Sequence, residues 1–221
     1  MRRQYIIFLV PVSITLLAIF FFALAGLKEG PNTRESETKK QTQEKKSQEQ
    51  FIVNDLDPSV GPHDAKVIVV EFVDFQCPYC RASHEAVTDA MKHYANLSVR
   101  FVFRQLPIFT KHPYALQASN AALCAGEQKK YIEMQDLFFM RQEQIQPAIY
   151  TQYAQELGLD LTSFNTRLAE KKYQPIIQKD LADAESLQVN ATPTWFINTE
   201  RIVGALTKEE LQSAIDTHLG R

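Results

Sequence analysis

Seven residues, Val67-Ile68-Val69-Val70-Glu71-Phe72-Val73, are followed four positions later by Cys77-Pro78-Tyr79-Cys80, and this pairing constrains the fold most. A β-branched run that is apolar at six of its seven positions predicts a strand buried on both faces, as in a sheet covered by helices. Gly61-Pro62-His63-Asp64 bounds it upstream. Beyond the cysteines, Ala82, Ala86, Val87, Ala90, Met91 and Tyr94 recur at helical spacing, which predicts a helix over Pro78 to His93. Val99 to Arg104 then alternates with period two, so a second strand follows. The opening is a βαβ unit with a right-handed crossover.

From about 113 to 187 the pattern becomes helical. Amphipathic segments fall at Tyr114 to Ala125, Tyr131 to Arg141, Ala148 to Leu157, Leu161 to Ala169 and Ile176 to Leu187. Thr194 to Asn198 and Arg201 to Gly204 predict a hairpin turning at Thr199-Glu200. Thr207 with Glu210 forms a capping box that opens a last helix, which Gly220 closes. One α/β domain over residues 51–221 results, with an inserted all-helical subdomain.

The first 50 residues are of another kind. Arg2 and Arg3 precede an uncharged run from Tyr5 to Leu27, 23 residues that at about 1.5 Å each suffice to cross a bilayer core of roughly 30 Å. The sequence predicts an N-terminal transmembrane helix over 5–27, with residues 1–4 cytoplasmic and everything after Leu27 exported. A cleaved signal sequence is the alternative, since Ala23-Leu24-Ala25 is a small-residue cleavage pattern. Residues 28–50 carry six Lys/Arg against five Glu and no aromatic, so they predict a disordered charged tether with no core to bury.

A net charge of -2 and a sequence pI near 6.2 give no field for gathering phosphates, which excludes nucleic acid as an expected partner. Three cysteines are too few to scaffold a secreted fold, leaving them free for chemistry.

Spacing alone leaves Cys77 and Cys80 open to a disulfide, a metal or redox exchange. A strand-turn-helix context places Cys77 at the helix N-cap and Pro78 at the first helical position, where proline's missing N–H costs nothing. Unpaired backbone N–H groups and the positive helix end then favour thiolate over thiol, so Cys77 is expected to be an exposed nucleophile and Cys80 the enclosed resolving thiol. Glu71 interrupts an apolar strand, and burial predicts a raised pKa and proton exchange with Cys80. Asp74 is assigned a structural or electrostatic role. A zinc site of Cys77, Cys80 and His84 would need a fourth ligand that the sequence does not supply, so no metal is expected. His63, His93, His112 and His218 read as surface or loop residues, and Cys124 as buried core. Phe75 and Trp195 are candidates for a substrate groove, with ordinary strand core as the alternative for both.

Glu71 to Cys80, together with Val189-Asn190-Ala191-Thr192-Pro193-Thr194-Trp195-Phe196-Ile197-Asn198, resembles the thioredoxin superfamily, and within it the exported DsbA-like thiol:disulfide oxidoreductases of bacteria. The likeness runs from about Val60 to the C-terminus. It implies a thioredoxin-like fold, a cis peptide at Pro193, and Thr192 and Pro193 as the substrate-binding segment beside Cys77, Pro78, Tyr79 and Cys80. Ala191 departs from the family, which often has Gly there.

The expected function is protein disulfide oxidation at the outer side of a bacterial cell membrane, with no cofactor beyond the Cys77-Cys80 disulfide. Exported proteins with free cysteines are the expected substrates, and the resemblance implies a quinone-linked membrane protein as reoxidant. The alternatives are an exported reductase or isomerase and, of another class, a non-catalytic peptide-binding or chaperone module.

Overall fold

The computed structural model describes Val53 and residues 56–221. The expected membrane segment and charged tether lie outside the described residues. Among the described residues, no helix is long and apolar enough to cross a membrane.

Five strands form one sheet in the order β1-β3-β2-β4-β5: β1 is Ser59–Val60, β2 Val67–Val73, β3 Val99–Gln105, β4 Thr194–Ile197 and β5 Glu200–Val203. β2 and β3 run parallel, with Glu71 opposite Phe103 and Phe72 opposite Arg104. All other pairings are antiparallel. Helix α1 (Pro78–His93) connects β2 to β3 and α7 (Lys208–Leu219) ends the chain. Between β3 and β4 stand α2 (Ala115–Glu127), α3 (Tyr131–Met140), a 3-10 turn (Gln142–Gln144), α4 (Pro147–Glu156), α5 (Leu161–Ala169) and α6 (Gln174–Ser186).

Side-chain alternation along β2 supplies two cores. Val67, Val69 and Val73 join Phe75, Val87, Phe138 and Ile215 on the face toward α1, the insert and α7. Val70 and Phe72 pack with Val102, Ala184, Val189 and Phe196 on the other, where α6 lies. At about 25 cal/mol per Å² of apolar surface, each fully buried side chain of this size contributes roughly 1.5–3 kcal/mol.

Local signals set the helix ends. Pro78 begins α1, and Cys77 at its N-cap is extended, with φ -75° and ψ 122°. Thr207 and Glu210 form the reciprocal capping box of α7, and Gly220 closes it in the left-handed region at φ 78°.

Period two gives β3 polar positions, and they are enclosed: every residue from Val99 to Gln105 is buried, because α6 covers that face and pairs with Arg104. The hairpin turns one residue earlier than expected, at Asn198-Thr199. Asn198 takes φ 52°, and its side chain bridges to Ile68 N at 2.9 Å and Lys66 O at 3.3 Å, a geometry that Asn tolerates better than most residues. The two-residue β1 has no hydrophobic pattern of its own. It exists because Gly61, at φ 111°, lets the chain approach β3, where a Cβ would lie 2.2 Å from Val99 O.

Candidate active site

β2 ends at Val73, and the loop 74–77 turns the chain into α1. The Cys77 N–H donates to Asp74 O at 3.0 Å. The fully buried Asp74 carboxylate accepts from Gln76 N at 2.8 Å and Ile108 N at 2.7 Å, and lies 2.7 Å from His112 Nδ1. Tyr114 N donates to Gln76 Oε1 at 2.7 Å. The segment after β3 is thereby bound to the cysteine loop, and it carries Phe109, 60% exposed. His112 is no simple surface residue, because it answers a buried carboxylate that came from a distant part of the chain.

Cys77 and Cys80 are both thiols. Thr192-Pro193 is a cis peptide, and the Cys77 Sγ donates to Thr192 O at 3.2 Å. The nucleophile was expected to be exposed, but only 4% of Cys77 is accessible, since the Thr192 segment lies against its sulfur. Tyr79 is the open member of the motif at 64% exposure.

The two sulfurs are pushed in opposite directions. Cys77 is lowered from 9.0 to about 5, first by the hydrogen bond that Cys80 gives it, then by the Thr192 side chain and the backbone N–H groups of Cys80 and Tyr79, with burial opposing. The Thr192 Oγ1 has no partner among the described residues in the thiol form. Once Cys77 ionises it can no longer donate to the Thr192 carbonyl, and that hydroxyl becomes the donor. Cys80, fully buried, is raised well above 9.0 by burial first and then by the proton it gives Cys77. At neutral pH the pair therefore carries one negative charge, on Cys77.

Glu71 lies on β2, 2% exposed, with Oε2 lacking a hydrogen-bond partner among the described residues. Burial, and then the Cys77 charge, raise it from 4.5 to about 8. It is a neutral acid at pH 7, and its charge in turn raises Cys80.

Phe75 and Trp195 are fully buried, so neither lines an open groove. Phe75 packs on Phe138 and Phe139, with ring centroids 5.1 and 5.5 Å away, and Trp195 Nε1 donates to Gly204 O at 2.9 Å. His84 lies 2.8 Å from Asp136 through Nε2. Cys124 is core, its thiol pushed up to about 12 by burial. Sequence reasoning missed Gln142, which is buried and donates from Nε2 to Phe75 O at 2.8 Å and Cys77 O at 2.9 Å. A polar residue just past an apolar helix was its only local signal.

A dithiol at a helix start, an acidic outer sulfur and a cis-proline beside it define a thiol-exchange centre. The family model described as Thioredoxin matches residues 54–217. Among solved structures, a thioredoxin-like oxidoreductase from Silicibacter pomeroyi is 27% identical with TM-score 0.65, over 76% of this chain and 95% of that one. The thiol-disulfide exchange protein alpha-DsbA2 from Wolbachia pipientis shares the fold at 22% identity and TM-score 0.70, over 85% and 99%. BdbD from Bacillus subtilis does so at 20% and 0.66, over 75% and 94%. The chain belongs to the thioredoxin family.

A curated relative, Na(+)/H(+) antiporter NhaA 3 from Salinispora tropica, is 40% identical over 161 residues, 73% of this chain but 24% of that protein. The chain thus spans about a quarter of the length of the curated relatives it matches, and the ion transport in their names stays with those longer proteins.

Proposed function

We propose that the chain is a protein disulfide oxidase, which donates the Cys77-Cys80 disulfide to exported proteins at the outer face of a bacterial membrane. One feature supports the direction: Cys77 sits at the N-cap of α1 beside Cys80 and the Thr192 segment, and the hydrogen bonds there hold it low, at about 5. Anything that stabilises the thiolate stabilises the reduced enzyme, and so makes its disulfide the stronger oxidant. Relative to an ordinary thiol the gain at pH 7 is about 3 kcal/mol, or roughly 60 mV for a two-electron couple.

The exchange balances as follows. A substrate thiolate attacks Cys77 Sγ of the oxidised enzyme, the Cys77–Cys80 bond breaks, and Cys80 leaves with the electron pair. Glu71, neutral at this pH, is the proton donor to that buried thiolate. A second substrate thiolate then attacks the substrate sulfur of the mixed disulfide and expels Cys77 as a thiolate, its low pKa making it a good leaving group. Substrate has lost two electrons and the enzyme has gained them. Thr192 and Pro193 would hold the extended substrate segment, and Pro78 and Tyr79 shape the helix end around the nucleophile. The family resemblance assigns reoxidation to a quinone-linked membrane protein, and an apolar membrane segment followed by a charged tether in residues 1–50 would keep the domain within its reach.

The test is the Cys77-Cys80 reduction potential, paired with oxidative refolding of a reduced substrate. The oxidase reading expects a potential well above that of thioredoxin, and complete loss of refolding activity in Cys77→Ser. A potential near roughly -270 mV would support a reductase instead. Undiminished activity in Cys77→Ser would favour a non-catalytic module.

A further inference from the structure

Beside the Cys77 sulfur, four groups of the loop 74–77 are held from outside it. The Asp74 carboxylate and the Gln76 side chain reach the segment after β3, whereas the Phe75 and Cys77 carbonyls both accept from one amide nitrogen, Gln142 Nε2, at 2.8 and 2.9 Å. Gln142 opens the 3-10 turn Gln142–Gln144 of the helical insert. That turn is rigidly based: the preceding Arg141 is bidentate to Glu156 of α4, both bonds 2.8 Å, and lies over the Tyr153 ring at 5.3 Å. The following Glu143 pairs with Arg81, the residue after Cys80.

We infer that Gln142 is a positioning residue for the nucleophile: its amide fixes the peptide planes on both sides of Gln76-Cys77 so that the Cys77 sulfur faces its hydrogen-bond donors. The Cys77 carbonyl is the first acceptor of α1, taking the Arg81 N–H at 3.2 Å. Holding it sets how the nucleophile's backbone enters the helix, and the approach of Sγ to the Cys80 and Tyr79 N–H groups follows from that entry. Without the donor, two carbonyls on a buried loop lose a partner and turn toward water. The loop then shifts, and the thiolate loses part of its solvation by N–H dipoles. The insert thereby acts on the redox chemistry without touching substrate. This rests on Cys77 being the thiolate.

The experiment titrates the thiolate of the reduced full chain by its ultraviolet absorbance and measures the reduction potential, for wild type, Gln142→Met, Gln142→Glu and Glu143→Gln. Methionine keeps length and volume but has no donor. Its Cys77 midpoint is expected to rise by about one unit, a tenfold weaker thiolate, with a potential lower by about 30 mV. Gln142→Glu, isosteric but able to donate at most one bond and only while the buried carboxyl is protonated, is expected to shift it in the same direction, and is the variant to read if Gln142→Met does not fold. Glu143→Gln cuts the exposed ion pair of the same turn and is expected to keep the wild-type midpoint. Folded Gln142 variants with the wild-type midpoint and potential would overturn the clamp, as would an equal shift in Glu143→Gln. A wild-type midpoint near 9 would instead sink the thiolate reading itself.

Discussion

Two ionisable side chains sit on the paired central strands β2 and β3, one registered position apart, and they face opposite cores. Arg104 is fully buried, yet it donates to Asp180 Oδ1 from Nε at 3.0 Å and from Nη2 at 2.7 Å, pairs with Asp183, and lies 3.6 Å from Asp57. Glu71 is buried almost as deeply and has a carboxylate oxygen with no partner among the described residues. The comparison separates two uses of burial. Where charge is matched, as around Arg104, the group stays ionised and ties β3 to α6 and to the chain before β1. Where it is unmatched, the group gives up its charge, and a carboxyl that remains protonated to about 8 is suited to move a proton near neutrality.

The harshest way to break the comparison is Arg104→Met, which strands Asp57, Asp180 and Asp183 in the interior. A loss of about 3–5 kcal/mol is expected, read by denaturant unfolding, with the Cys77 titration unchanged in whatever remains folded.

Next is Glu71→Gln, with the opposite sign. Below 4.5 the carboxyl is protonated in folded and unfolded chains alike. Between 4.5 and about 8 only the unfolded chain releases its proton, so the folded state loses stability as pH rises through that window. Removing the carboxyl is therefore expected to stabilise the protein by about 3 kcal/mol at pH 7, and by nothing below pH 4.5. Unfolding measured across that range reads both. The same variant is expected to slow departure of Cys80 during exchange by ~10²-fold, the lower range for a lost general acid.

A smaller effect is expected at Asp74, a buried carboxylate that is matched like Arg104 but lies beside the reacting groups. Asn there retains one acceptor for the donors of Gln76, Ile108 and His112, and a cost of about 1–3 kcal/mol follows from the unsatisfied group. Cys124→Ala is expected to cost least, about 1 kcal/mol for the lost packing. In the native protein Cys124 should resist alkylation under conditions that modify Cys77, which mass spectrometry would show.

What was legible in the sequence is what local chemistry determines. The β2 run, the proline-started α1 and the Thr207-Glu210 box each depend on residues within one turn or one strand, and the structure forms them where the pattern put them. Glu71 could be found because an acid in an apolar strand is a local contradiction. The partners of Arg104 were not legible, since an arginine in an alternating strand says nothing of what covers it. Its answer, Asp180 and Asp183 on one face of α6, lies over 70 residues away. Asp74 with His112, and Gln142 with the Cys77 carbonyl, were likewise invisible because each pair exists only once segments far apart in the chain have packed together.

The most direct measurement is the ultraviolet titration of the reduced protein, repeated in Cys77→Ser and Glu71→Gln. One thiolate is predicted to appear with a midpoint of about 5, to vanish in Cys77→Ser, and to persist in Glu71→Gln, with Cys80 silent up to pH 9 in every case. A Cys77 midpoint near 9, or ionisation of Cys80 before Cys77, would contradict the division of labour between the two sulfurs and the buried acid.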